Sequence, residues 1–190
     1  SYTQQEEEFF KLPQITDLDI DGTGRMFMAA WDGAGYSGND QKGYVVRVVP
    51  KSWEYSDMPN LEKTATDDLI DLLREESATI RLYAQQELIG RGSAEAADEA
   101  LRLAKKVGEP LYARVAVLYA YSQIRGAAGL DDMMRLIEDT DLKEHVIRAV
   151  TDRTAYVSEL PIAPFVDAMS DPSPRVRAAA IIALGRIGKE

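Results

Sequence analysis

Hydrophobic and polar positions change their period once along this chain, near Thr64. After a charged opening from Gln4 to Lys11, Ile15-Thr-Asp-Leu-Asp-Ile-Asp21 alternates apolar and acidic residues over most of its length, which predicts a half-buried strand. Asp21-Gly-Thr-Gly24 predicts the turn that ends it. Arg25 to Trp31 and Gly43 to Val49 predict two more strands, separated by a Gly-, Asn- and Asp-rich loop from Asp32 to Lys42 and closed by Pro50. The expectation for residues 1–50 is a small antiparallel three-stranded β-meander. Phe27 and Ala29 on one side, with Met26, Met28 and Ala30 on the other, predict two apolar faces. Residues 51–63, with Pro59, Trp53 and Tyr55, show neither period and predict a surface linker.

From Thr64 the period is 3.6. Four helix pairs are predicted over residues 64–190: Asp67 to Leu73 with Ala78 to Arg91; Ser93 to Val107 with Leu111 to Arg125; Leu130 to Glu138 with Leu142 to Thr154; Ile162 to Met169 with Arg175 to Ile187. Thr64, Thr66, Ser93 and Ser173 are the candidate caps, Pro174 suits a first helical position, and Gly188 suits a stop. In the last helix Val176, Ala180, Ile181, Leu184 and Ile187 form the expected buried stripe. Ile80, Arg81, Ala84, Leu88 and Gly92 match Val176, Arg177, Ala180, Leu184 and Gly188, so the pattern repeats. Arg81, Arg114, Arg148 and Arg177 follow one another at 33, 34 and 29 residues, a period that suits one pair of short helices per unit. The fold class expected is mainly α: a helical solenoid of about four pairs behind a β-meander.

Charge and composition narrow the function. A formal net charge of -10, with no basic run, argues against a nucleic-acid or anionic-membrane surface. Zero cysteine removes disulfides, thiolate nucleophiles and Cys-ligated metals, while leaving the compartment open. No apolar run approaches the roughly 20 residues of a membrane span, and the first 30 residues lack the apolar stretch of a signal peptide.

Candidate chemistry is sparse. Asp17, Asp19 and Asp21 have the Asp-x-Asp-x-Asp-Gly opening of a calcium loop, but Met28 stands where that loop places its bidentate Glu and the flanks read as strands. Acidic outward positions on a strand are the simpler reading. His145 is the only histidine, which excludes a multi-histidine metal site and predicts a surface residue. Gly22-Thr-Gly24 and Gly33-Ala-Gly35 lack the strand-glycine-helix setting of phosphate loops and predict turns. The tyrosines Tyr83, Tyr112, Tyr119, Tyr121 and Tyr156 predict packing between helix pairs, and any that face outward would be anchors for a partner.

The helical part resembles HEAT repeats, which carry an acidic residue in the turn within each pair and an arginine about six residues later. Glu75 with Arg81 and Asp171 with Arg177 keep that spacing, Asp141 with Arg148 is one residue longer, and Glu109 with Arg114 one shorter. The resemblance implies a structural ladder between Glu75, Arg81, Arg114, Asp141, Arg148, Asp171 and Arg177, and a second-helix surface on which Tyr83, Gln86, Tyr119 and Gln123 would meet a protein or peptide. Residues 8–31 and 43–50 resemble the closing blade of a glucose/sorbosone-dehydrogenase-like β-propeller. A propeller followed by HEAT repeats is similar to the haem-binding membrane-bound dehydrogenase proteins of the PVC type, which would imply a periplasmic or exported parent oxidoreductase. A single blade and no CxxCH carry none of that chemistry, and no catalytic position maps onto this sequence. The expectation is therefore a non-catalytic interaction or scaffold module without a cofactor. A structural piece of a sugar or polyol dehydrogenase and a calcium-binding module are the alternatives. The free strand edges would allow a homodimer through the meander.

Overall fold

The computed structural model describes residues 5, 7–9, 11–32, 41–55 and 57–188. The Gly33-Ala-Gly35 turn and part of the charged opening lie outside them. The chain divides into two compact units, Ser1–Met58 and Pro59–Glu190.

The first unit is a three-stranded antiparallel sheet of β1 (Ile15–Ile20), β2 (Met26–Trp31) and β3 (Gly43–Val48), in the order β1-β2-β3. Leu18 and Val46 flank Met28, and Ile20 and Val48 flank Met26, so one face is apolar across all three strands. On this face Met28 and Ala30 are buried. The other face differs from the expectation: Asp19 and Arg47 flank Phe27, and Asp17 and Val45 flank Ala29, so its rows mix charge with apolar groups. Alternation in the two edge strands, rather than composition of the central one, sets that face.

The predicted linker 51–63 is not one element. The Trp53 ring lies against Gly24, where an added Cβ would fall 3.0 Å from it, and the Tyr55 ring takes the Arg25 guanidinium 4.2 Å from its centroid. Gly22 sits so close to Met58 that a Cβ there would lie 2.3 Å from its sulfur. Trp53, Tyr55 and Met58 thus belong with the β1–β2 turn, while Leu61–Lys63 forms a 3-10 turn of the second unit. The Arg91 guanidinium donates to the Leu61 carbonyl at 2.8 Å and fixes that turn.

The second unit contains, among its described residues, eight α-helices in four pairs. They are α1 (Thr66–Leu72) and α2 (Ala78–Arg91), α3 (Ala94–Lys105) and α4 (Leu111–Arg125), α5 (Leu130–Met134) and α6 (Lys143–Val150), and α7 (Ala163–Ala168) and α8 (Pro174–Ile187). A 3-10 turn, Arg135–Glu138, extends α5. Each pair packs within itself, and the second helices pack in sequence, α2 on α4, α4 on α6 and α6 on α8. The core between the layers is built from Leu69, Leu73, Leu88, Leu118, Ile147 and Phe165 among others.

Caps explain where helices begin. Ser77 and Ser93 accept hydrogen bonds from the Ile80 and Ala96 amides at 3.3 and 3.0 Å. Two expectations are corrected. Ser173 occupies the cap position but its hydroxyl makes no cap bond; its amide donates to the Asp171 carboxylate at 2.9 Å, and Pro174 needs no partner at its first position. Neither Thr64 nor Thr66 caps α1: Ala65 occupies the cap position, and the Thr64 hydroxyl donates to the Asn60 carbonyl. The stripe of α8 is also different. Ala179 and Ala183 are buried with Val176, Ala180 and Ile187, whereas Ile181 is exposed.

Candidate functional site

The turn acids and the basic residues around them set the registry of the helix pairs. Glu109, in the turn of the second pair, accepts a two-pronged bond from Arg74 of the first, Nε to Oε2 at 2.9 Å and Nη2 to Oε1 at 3.2 Å. Lys106 adds a contact at 2.6 Å. Hydrogen bonds from Arg74, then Lys106, hold the Glu109 carboxyl at about 2, well below its ordinary 4.5. In the third turn Asp139 accepts from Arg114 at 2.5 Å, and in the fourth Asp171 pairs with Lys143 at 3.1 Å. Arg74, Arg114 and Lys143 each belong to the pair before the acid they meet, whereas Lys106 shares the pair of Glu109. These are charge-assisted bonds between neighbouring pairs.

The positions named from the sequence enter this scheme unevenly. Arg81 and Arg177 do not meet the carboxylates of Glu75 and Asp171. Arg81 instead donates to the Glu75 and Glu76 carbonyls at 2.6 and 2.7 Å, and Arg177 to the Asp171 and Pro172 carbonyls at 2.8 and 2.9 Å. Six residues along a helix brings a guanidinium back over the open backbone of its own turn, where carbonyls lack partners. Arg114 passes over Glu109 for Asp139, with Asp141 3.9 Å away. Arg148 does not reach Asp141; it pairs with Glu144 at 2.9 Å, since one extra residue of spacing rotates it about 100° around α6. Arg74, Asp139, Lys143 and Glu144 were missed because their partners lie some 30 residues away, beyond any local spacing rule.

The second helices form a row whose outward side chains touch across neighbours. Between α2 and α4, Arg81 lies over the Tyr112 ring at 4.3 Å, and the Tyr112 hydroxyl donates to the Arg74 carbonyl at 2.9 Å. Between α4 and α6, Tyr119 and His145 meet edge to face at 6.4 Å. Between α6 and α8, buried Glu144 grips Arg175 at 2.8 Å while also holding Arg148, and both guanidinium groups remain largely exposed. Burial pushes the Glu144 carboxyl up, but the Arg175 hydrogen bond and the charges of Arg175 and Arg148 hold it below its ordinary value.

His145 is half-buried against Tyr119 rather than a free surface residue, and burial lowers its imidazole despite the opposing pull of Glu144. Gln86 and Gln123 are exposed and Tyr119 half-buried, all on second helices. Tyr83 is exposed too, but it matches Ala179, a buried position of α8. It therefore lies on the outer end of the first pair and not on the row. Tyr121 is core, its hydroxyl donating to Asp132 at 2.9 Å, and Tyr156 is buried.

The acidic strand positions serve the hairpin. Asp21 Oδ1 accepts from the Thr23 amide, the Thr23 hydroxyl and the Arg25 amide at 2.7 to 2.9 Å, and the Thr23 hydroxyl chiefly lowers its carboxyl. Asp17 and Asp19 each accept from the next backbone amide. Among the described residues no group of three His, Cys, Asp or Glu converges on a cation position, and no helix is long and apolar enough to cross a membrane.

No curated protein matches this chain. The last helix pair is similar to a known unit: a family model described as HEAT repeat matches residues 162–190, which gives that part of the chain HEAT-repeat character.

Proposed function

We propose that the four helix pairs form a HEAT-type solenoid and that the chain is a non-catalytic protein-interaction or scaffold module. Its recognition surface is the row of second helices. The observation that carries this reading is the series of three contacts between successive second helices, Arg81–Tyr112, Tyr119–His145 and Glu144–Arg175, which holds exposed or half-buried rings and guanidinium groups in fixed places across four helices. Rigid aromatic and arginine anchors are the side chains that concentrate binding energy at interfaces. Arg148 and Arg175 are exposed cations in a chain of formal net charge -10, so the complementary partner is a protein or peptide segment with carboxylates facing them.

The test is selection from a displayed random-peptide library on the full chain. Enriched peptides should combine acidic and aromatic residues and lose about tenfold or more in affinity on Tyr119→Ala or Arg175→Gln. Peptides that bind both variants like the parent chain would refute the assignment of the surface. The HEAT-repeat match supports the interaction role, whereas the calcium and dehydrogenase readings gain no support from the hairpin or from the match.

A further inference from the structure

The first and last helix pairs align without a gap, Thr64 to Gly92 with Leu160 to Gly188. Their backbones agree as well. Arg81 and Arg177 donate to equivalent turn carbonyls, and both second helices end on a left-handed glycine, at φ 59° and 64°. A position in one pair therefore stands for the same position in the other.

On the side of the first pair covered by α3 and α4, Ile70 and Leu73 are 5% and 0% exposed, and Gln85 donates to the Ala116 carbonyl of α4 at 2.7 Å. Their counterparts in the last pair are Val166, Met169 and Ile181, which are 50%, 43% and 59% exposed. The opposite side shows the reverse. Ala183 and Ile187 of the last pair are buried, and their counterparts in the first pair are Glu87 and Arg91, joined by an ion pair at 2.9 Å. One end of the array is finished with paired charges, as a capping repeat requires, while the other keeps the apolar residues of an internal interface.

We infer that the Val166–Met169–Ile181 face is a docking surface for one helical hairpin of a partner, seated on α7 and α8 as α3 and α4 are seated on α1 and α2. The equivalence of this face to the surface of α1 and α2 that α3 and α4 cover sets the chemistry of the occupant. It presents an apolar first helix like α3, whose buried Leu103 lines one cleft with Ile70, followed by a second helix whose backbone crosses Ile181 as that of α4 crosses Gln85. This surface is separate from the row of second-helix side chains.

The probe is this chain's own α3–α4 segment, residues 93–126, repeated directly after Gly188 of the full chain, where it meets the same glycine junction that it follows after Gly92. The extended protein should melt in one transition about 5 °C or more above the parent, with the added helix amides protected from hydrogen exchange. Ile181→Lys and Val166→Lys should abolish the gain and the protection, yet leave the unextended chain within about 1 °C, since both side chains are half or more exposed there. An added segment that stays unprotected, with no rise in melting temperature, would overturn the inference. So would an unextended chain that is a dimer in solution and becomes a monomer on Ile181→Lys, because a second copy would then be the occupant.

Discussion

Arg114 of α4 and Asp139 of the following turn are joined at 2.5 Å, and the guanidinium that makes this bond is fully buried. Its Nε donates to the Ala104 carbonyl at the end of α3, while the other oxygen of Asp139 accepts from the Asp141 and Leu142 amides at 3.1 Å. One arginine thus ties the end of α3 to the start of α6. Burial alone would raise the Asp139 carboxyl, but the Arg114 hydrogen bond holds it below its ordinary value.

Removing that cation strands a partly buried carboxylate and an open carbonyl. Arg114→Met should cost about 3–5 kcal/mol in urea unfolding. Arg74→Met, at a more exposed pair, should cost about 1 kcal/mol. Equal losses would show that burial does not distinguish the two bridges.

Glu109 titrates at about 2 in the folded chain and at 4.5 ordinarily, so between those values the unfolded chain binds more protons. Its stabilisation is complete above 4.5 and lost as pH falls through about 2. Glu109→Gln should lower the melting temperature at neutral pH and flatten its decline across that acidic window. Thermal melts of both proteins over the window measure the difference.

Two glycines should respond to alanine with opposite signs. A Cβ at Gly129 would lie 2.7 Å from the Tyr121 ring, which the Asp132 bond holds in place, so Gly129→Ala should destabilise by about 1–3 kcal/mol. Gly185, within α8, has nothing within 4 Å of its added Cβ, so Gly185→Ala should stabilise by about 0.5–1 kcal/mol. Denaturant midpoints report both.

The capping difference is also measurable. Ser93→Ala removes the bond to the Ala96 amide and should cost about 1 kcal/mol. Ser173→Ala removes no cap and should stay within about 0.5 kcal/mol. A larger loss at Ser173 in chemical denaturation would contradict the cap geometry.

Local pattern carried most of the elements. The change from period two to period 3.6 located the strands and helices, and Ser77, absent from the candidate caps, was the local signal missed. What sequence spacing did not reveal is long-range. The Arg74–Glu109 and Lys143–Asp171 bonds join residues of adjacent pairs, and the sequence spacing of Arg81 to Glu75 suggested a carboxylate partner where geometry supplies a carbonyl. The stripe of α8 misled at Ile181 for a related reason: helical periodicity identifies an apolar side but does not say which neighbour covers it. Gln86, Tyr119 and Gln123 were legible as exposed or half-exposed second-helix positions, whereas the Glu144–Arg175 grip needed the packing of α6 on α8.

Site-specific photo-crosslinking tests the recognition surface most directly. A benzoylphenylalanine replaces Gln86, Tyr119 or Gln123 on the second helices, or Arg102 on the exposed side of α3, in the full chain inside the cells that produce it. The account predicts one discrete protein adduct from the second-helix positions, absent from Arg102 and lost on Arg175→Gln. Adducts from Arg102 with none from the second helices would contradict it.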